Sequence, residues 1–432
     1  SDVVRNSIQG SAGVALGGTL YKSNTTYLSQ NFNQILRYKT VFGEGHNFDI
    51  LLAHESFQDT FENFDLSKKG IVNLNPNAVG VPENYLDQNG VSYGSKTDTS
   101  LESFFTQANY SYADKYYLTG TLRRDGSSRF FKNKWGTFWS VGAGWVLSEE
   151  DFLDSLDFVD FLKLKASYGV LGSQGGAAFA GQAGFDVQNL LGQPSLIPRA
   201  VVDPNITWES SNQFQTGVEL ELFNGAIEAN LDFYQKTTSN LYVNKRLSPS
   251  TGDAIILTND GKLVNRGFEF DVTGNIIKKD DFRLSLTVNG EMFNNEITQM
   301  PIENSTGNPK VLNISGNYGQ SLGRSIYDFY MRQWAGVDAA NGNGQWIENW
   351  VDANNDGQYN AGEGISDLLV YTAANPDKVI KERITSTYAD ATIKYVGKSL
   401  IPTVRGAFRL NTSYKNFTLN AQFGYSICKS ND

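Results

Sequence analysis

Phe214-Gln215-Thr216-Gly217-Val218-Glu219-Leu220-Glu221-Leu222 runs into Phe223-Asn224-Gly225-Ala226 and then into Ile227-Glu228-Ala229-Asn230-Leu231-Asp232-Phe233-Tyr234. Successive side chains of a strand point to opposite faces, so Phe214, Thr216, Val218, Leu220 and Leu222 share one face while Gln215, Gly217, Glu219 and Glu221 share the other. Asn-Gly accepts the positive φ angles of a tight hairpin, and Asn224-Gly225 therefore predicts a two-residue turn. The return strand repeats the alternation, with Ile227, Ala229, Leu231 and Phe233 against Glu228, Asn230, Asp232 and Tyr234. A hairpin with one dry and one wet face follows.

The same grammar extends outward. Phe268, Phe270 and Val272 alternate with Glu269, Asp271 and Thr273; after Lys278-Lys279-Asp280, the residues Phe282, Leu284, Leu286 and Val288 alternate with Arg283, Ser285, Thr287 and Asn289. Further strands are expected at 35–42 with 47–57, 101–112 with 116–125, 136–147, 161–171, and 403–413 with 417–427. That makes about a dozen, each of roughly the 9–11 residues with which a tilted strand crosses a bilayer. Connections near 43–46, 113–115, 224–225, 277–281 and 414–416 read as short, and those near 58–99, 126–135, 172–210, 238–264 and 298–400 as long. Short turns on one side and long loops on the other are the pattern of an outer-membrane barrel. Tyr110, Tyr112, Tyr116, Tyr117, Trp139 and Trp145 lie near strand ends, as interfacial aromatic girdles do; ordinary strand propensity enriches the same residues.

Composition agrees with an all-β class: 21 Tyr, 27 Phe and 42 Gly stand against 10 Pro, a mixture suited to strands rather than helices. No run approaches the roughly 20 apolar residues of a spanning helix, and the mean hydropathy of −0.36 is blind to a barrel whose two faces cancel. The net charge of −10 argues against a nucleic-acid partner, which requires a clustered basic surface. A single cysteine, Cys428, supports no disulfide framework. Ser1-Asp2-Val3-Val4-Arg5 lacks the basic start and apolar core of a signal peptide.

From Tyr116 the chain reads YYLTGTLRRDGSSRFFKNKWGTFWSVGAGWVLSEEDF, and later LKLKASYGVLGSQG. With these go Gly217 to Tyr234 followed by Lys236-Thr237-Thr238, Asn259-Asp260-Gly261-Lys262 with Asn265-Arg266-Gly267-Phe268-Glu269, and Ser325-Ile326-Tyr327-Asp328-Phe329 with Trp334-Ala335-Gly336-Val337-Asp338. Together they resemble the SusC/RagA-like branch of TonB-dependent outer-membrane transporters, a Bacteroidota family, over most of the chain from about residue 95 onward. The resemblance implies a large antiparallel transmembrane β-barrel of about 22 strands with long extracellular loops and short periplasmic turns. It also implies an amino-terminal plug, a TonB box and a SusD-like lipoprotein over the extracellular mouth. Residues 1–432 are then expected to be a partial barrel, with plug and closing strands outside the sequence and 298–400 as a long extracellular excursion. The function implied is active import of a bulky nutrient, a glycan or peptide. The alternatives are a siderophore-type TonB-dependent receptor and a scaffold barrel within a larger assembly.

Asp352-Ala353-Asn354-Asn355-Asp356-Gly357-Gln358-Tyr359-Asn360-Ala361-Gly362-Glu363 meets D-x-[DN]-x-[DN]-G-x5-E at every fixed position. Side-chain oxygens of Asp352, Asn354 and Asp356, the Gln358 carbonyl and a closing Glu363 suit Ca2+, and Gly357 permits the bend; the competing reading is a metal-free Asn/Asp/Gly turn. Tyr327, Tyr330, Trp334, Trp346 and Trp350 are candidates for stacking on substrate or contacting the cap, against plain loop packing. His46, His54 and Cys428 sit in no catalytic motif, and an enzyme is not expected.

Overall fold

The computed structural model describes residues 2–5, 18–70, 72, 91–176, 179–304 and 306–428. In chain order the strands are β1 (Asp2–Arg5), β2 (Thr19–Phe42), β3 (His46–Lys69), β4 (Val91–Tyr112), β5 (Tyr116–Ser127), β6 (Trp135–Val146) and β7 (Val159–Ser173). A hairpin, β8 (Phe185–Leu190) and β9 (Gln193–Pro198), precedes β10 (Glu209–Leu222), β11 (Ile227–Arg246), β12 (Ile255–Lys278) and β13 (Phe282–Gln299). An excursion holds β14 (Asn313–Ser315), β15 (Tyr318–Gln320), β16 (Asp328–Arg332), β17 (Trp334–Val337), β18 (Gly344–Trp350), β19 (Gly364–Ile365), helix α1 (Leu368–Ala374), β20 (Lys381–Thr385) and β21 (Ile393–Ser399). The chain then returns through β22 (Val404–Tyr414) and β23 (Phe417–Ile427). The main sheet has the hydrogen-bonded order β1-β2-β3-β4-β5-β6-β7-β10-β11-β12-β13-β22-β23, each strand beside its neighbour in sequence once the β8–β9 hairpin and the excursion are set aside.

By compactness the chain forms two units, residues 1–36, 52–105 and 124–129, and residues 37–51, 106–123 and 130–432. The first carries a polar ladder, in which Tyr21 donates to Asp65 (2.7 Å), Ser29 to Asp59 (2.6 Å) and Thr60 to Asp98 (2.7 Å), beside exposed apolar side chains such as Leu28, Phe32 and Leu36. His54 lies in it, its Nε2 2.6 Å from Glu102 and its ring stacked on Phe104.

The second unit carries the two-faced hairpin. Register pairs Val218 with Leu231 and with Leu164, and Glu219 with Asn230 and with Lys163, so the alternation read from β10 continues across its neighbours. On the apolar face Phe233, Phe268 and Met292 align across three strands and remain exposed. Only an apolar solvent suits such a row, since exposed apolar area costs about 25 cal/mol per Å² in water.

The expected lengths need correction. β2, β3 and β12 have 24 residues each and β11 has 20, well beyond a bilayer crossing. Pairing needs backbone groups rather than apolar side chains, so the ladder continues through polar residues: Ser239 pairs Lys262, and Arg246 pairs Ile255. The connections read at 126–135 and 238–264 thus shrink to 128–134 and 247–254. The stretch 73–90, inside the connection read at 58–99, lies outside the described residues. The two-residue turn is also wider: Leu222 pairs Ile227, and Phe223, Asn224 and Gly225 all take positive φ. Phe223 is drawn into a stack with Phe158, 5.6 Å between centroids.

Asn295 fastens the excursion to β13. It is buried, and its Oδ1 accepts from Ile326 N (2.9 Å) and Ser325 Oγ (3.1 Å) while Nδ2 donates to Asn265. Asn295→Ala orphans these donors and is expected to cost about 1–3 kcal/mol, seen as faster proteolytic cleavage between 300 and 330; an unchanged rate would assign the fastening elsewhere.

Candidate functional site

The polar face of the second unit is an ion-paired wall. Lys165 Nζ lies 3.0 Å from Asp232, 3.2 Å from Glu219 and 2.9 Å from Asn230 Oδ1, and Lys163 lies 3.8 Å from Glu219. Gly217, opposite both Lys165 and Asp232, is the position that lets these side chains close: a Cβ there would overlap the Asp232 carboxylate. Farther along, Arg405 reaches Glu291 at 2.6 Å and Tyr234 donates to the same carboxylate at 2.8 Å. Lys165 reaches Glu219 on the adjacent β10 and Asp232 one strand farther, on β11, and Arg405 meets Glu291 on the adjacent β13, so none of these charges is stranded. A concavity of ≈ 860 Å³ is lined by Asp49, Asn109, Tyr117, Thr119, Lys163 and Lys165, among others.

The short-turn end of the same unit carries an aromatic row. Phe42 stacks on His46, His46 on Tyr112, Tyr112 on Tyr116 and Tyr116 on Trp145, and Trp145 meets Phe152 edge-on. Trp145 Nε1 donates to Glu150 at 2.9 Å and the Tyr116 hydroxyl to the same carboxylate, which places ring bodies on the apolar face and polar tips at its rim, as interfacial aromatics require. Of the girdle candidates, Tyr112, Tyr116 and Trp145 belong to this row and Tyr110 closes on His46 Nδ1 at 2.7 Å. Tyr117 lies instead beneath the Lys163 ammonium, and Trp139 packs on Tyr168.

In the excursion the calcium-type loop is tightly folded. Asp352 Oδ1 accepts from Asp356 N (3.1 Å) and Oδ2 from Gly357 N (2.8 Å); Glu363 accepts from Ala353 N (2.9 Å) and Asn360 N (2.7 Å). Asn355 and Gly357 take positive φ, the bend for which glycine is suited. Hard oxygen donors are present at every expected position, so the donor set fits Ca2+ in kind. Among the described residues no three His, Cys, Asp or Glu side chains converge as a metal cage. The cation present is Lys381, 2.7 Å from Asp352 Oδ2, and it holds that carboxyl below the usual carboxylate range. Asp356 is lowered as well, chiefly by the Asn360 amide.

The five aromatic candidates separate. Tyr330 and Trp350 are buried: burial raises the pKa of the Tyr330 hydroxyl, as does its donation to Asp367 at 2.6 Å, and Trp350 packs on Tyr359 under the Lys381 ammonium. Tyr327 is partly exposed against Tyr318, while Trp334 and Trp346 meet edge-on with centroids 5.4 Å apart. Sequence reasoning missed Lys381, Arg383 and Glu348, which grip the loop from neighbouring strands, Tyr388, which adjoins Trp346, and Arg332, which lies over Tyr388. None of these carries a local motif.

Residues 3–427 match the family model described as "TonB dependent receptor-like, beta-barrel". A TonB-dependent receptor of Formosa agariphila is 31% identical over 286 residues, 65% of this chain and 27% of its own length. The TonB-dependent receptor SusC of Bacteroides thetaiotaomicron is 31% identical over 286 residues, 62% of this chain and 28% of its own. The solved RagAB peptide transporter aligns with TM-score 0.75 and 25% identity over 95% of this chain and 42% of that one. The chain thus spans well under half the length of these relatives. With a two-faced antiparallel sheet, an aromatic row at its rim and this match over nearly its whole length, the chain belongs to the TonB-dependent receptor β-barrel family, of SusC/RagA type, and forms part of a barrel in the bacterial outer membrane.

Proposed function

We propose that this chain is wall and loop structure of an energy-driven importer for bulky nutrients, oligosaccharides or oligopeptides, that works beneath a SusD-like surface lipoprotein and is driven through TonB. The observation that carries the reading is the paired polar face: Lys165, Glu219, Asp232, Glu291 and Arg405 line one side of strands whose other side is apolar. A wall of this kind lowers the cost of moving a polar solute past a hydrocarbon layer and makes or breaks no covalent bond. The relatives are named as receptors, and the RagAB structure as a peptide transporter. The test is uptake of labelled oligosaccharides and oligopeptides by cells making the full-length protein, with and without an uncoupler. Uptake of one class that stops on uncoupling is expected; no energy-dependent uptake of either would sink the reading.

We further propose that the loop 352–363 takes Ca2+ through Asp352, Asn354, Asp356, Gln358 and Glu363, in competition with the Lys381 ammonium. Lys381→Met is expected to tighten calcium binding measured by titration calorimetry, and Asp352→Asn to weaken it; no heat of binding in either would leave an ion-paired turn. Because Asp352 and Asp356 titrate below their ordinary range, their stabilisation is complete above the unfolded value of about 4 and is lost as pH falls through the lowered one. Protease resistance of the loop should accordingly be flat from neutral pH to about 5 and fall only below about 4.

A further inference from the structure

The apolar face of β11–β13 changes character over three rungs. Phe233, Phe268 and Met292 form an exposed apolar rung; the next sets Gln235 beside Arg266 and Arg266 beside Asn294, and the third sets Val264 beside Glu296. Side chains two residues apart on a strand share a face, so all three rungs look the same way. Outward from the short turns the order is apolar, then cationic, then anionic. Depth gives that order a meaning. Phe282 pairs with Tyr414 and Tyr414 with Phe417 at the short-turn end of this face. From Phe282 to Met292 the strand, at about 3.4 Å per residue and a tilt of about 40°, climbs roughly 26 Å, which matches the apolar band of an outer-membrane barrel. Arg266 therefore stands where hydrocarbon gives way to headgroups on the long-loop side, and Glu296 about 5 Å beyond it.

A concavity of ≈ 780 Å³ opens at this level: the apolar rung, Arg266 and Glu296 line it from the sheet, and Arg324, Asp328 and Lys398 line it from the excursion. Arg266 is steadied by Gln235, which accepts from its Nε at 2.9 Å, and the Arg324 guanidinium lies 4.8 Å from the centre of the Tyr395 ring. None of Arg266, Lys398 and Glu296 is ion-paired to a described residue. Charges left unpaired beside hydrocarbon are costly, and a ligand of complementary charge removes that cost. Its outline follows from the rungs, an apolar chain, then an anion, then a cation, which is the order of acyl chain, phosphate and ammonium in an aminophospholipid. Further strands of a longer barrel pair at the ends of the sheet order, β1 or β23, and a segment inside the barrel lies on the opposite, polar face, so neither covers this one.

We propose that this concavity seats a membrane lipid with a phosphoethanolamine headgroup, its acyl chain on Phe233, Phe268 and Met292, its phosphate on Arg266 and Lys398 and its ammonium on Glu296. The full-length protein, stripped of lipid in detergent, is titrated with phosphatidylethanolamine, with phosphatidic acid and with diacylglycerol of the same chains, and the bound lipid is counted by native mass spectrometry. Phosphatidylethanolamine is expected to be retained in preference to both others. Arg266→Gln/Lys398→Gln is expected to weaken its retention about ten-fold or more, and Glu296→Gln to erase the preference over phosphatidic acid. Arg409→Gln makes the same charge change on the opposite face, where Arg409 pairs Thr287 and Gln422, and should stay at the parental level. Should the double variant not reach the membrane, Lys398→Gln alone, at an exposed position of β21, is expected to lower retention in the same sense. Equal retention by parental protein and folded variants overturns the proposal, as does a parental protein that binds no phosphatidylethanolamine. Diacylglycerol held as tightly would leave an apolar groove without a headgroup site, and displacement of the lipid by an equal concentration of inorganic phosphate would assign the cations to a soluble anion; either result overturns it too.

Discussion

Arg383→Ala is expected to unfold the loop 352–363 and the sheet beneath it while the main sheet stays paired. Glu348 is 1% exposed, and its charge is met by Arg383 Nη2 at 2.6 Å. Neither Glu348 Oε2 nor Arg383 Nε makes a hydrogen bond of good geometry, so the pair is a close ionic contact and not a two-pronged fork. The guanidinium also lies flat on Tyr359 and so holds the middle of the loop. Removing it strands a buried carboxylate, a change that costs about 3–5 kcal/mol. Arg383→Lys should recover little, since an ammonium cannot replace the planar stack. Glu348→Met with Arg383→Leu should recover most of the loss, because the desolvation cost disappears with both charges. Hydrogen exchange resolved by peptide is the measurement: protection is expected to vanish across 344–350 and 381–385 and to persist in β10 to β13. Unchanged protection at 344–350 would mean that Glu348 is neutral or reached by water.

The second large effect is expected at Gly406. On the apolar face, register lines up Phe270, Gly290, Gly406 and Tyr425. The Tyr425 hydroxyl crosses the two glycines to donate to the Asn289 carbonyl at 2.9 Å. A Cβ at Gly406 would fall on that carbonyl and on the Tyr425 ring tip. Gly406→Val must push β13 and β22 apart, and in a bilayer each backbone group left unpaired costs several kcal/mol. The variant is expected to be nearly absent from the outer-membrane fraction as a heat-modifiable barrel, with Gly406→Ala intermediate. Tyr425→Phe, which removes one hydrogen bond worth about 1 kcal/mol, should accumulate almost normally. Parental levels of the valine variant would show that the strands tolerate the added volume.

Much of this architecture was legible because the hairpin at 214–234 states its two faces residue by residue, and the pairing of Val218 with Leu231 and of Glu219 with Asn230 preserves them. What alternation cannot state is where a strand stops. Beyond the lipid both faces turn polar, and the Ser239–Lys262 rung looks in sequence like loop although its backbone is paired. The site was less legible. The calcium-type spacing marks its own oxygens but not Lys381, which arrives from 29 residues away. Tyr330 and Trp334, four residues apart and both aromatic, part company because one rests on Tyr395 and Asp367 while the other, edge-on to Trp346, stays exposed.

The aromatic row from Phe42 through His46, Tyr112, Tyr116 and Trp145 to Phe152 has a mechanical consequence. Six rings at one level, two of them tied to Glu150, resist displacement both ways. Sinking them drags phenol and indole dipoles into hydrocarbon, and lifting them wets their ring bodies. The wall is thereby clamped at a fixed depth, and a load applied along its strands from the short-turn side is borne by the lipid interface instead of being spent in sliding the barrel through the bilayer.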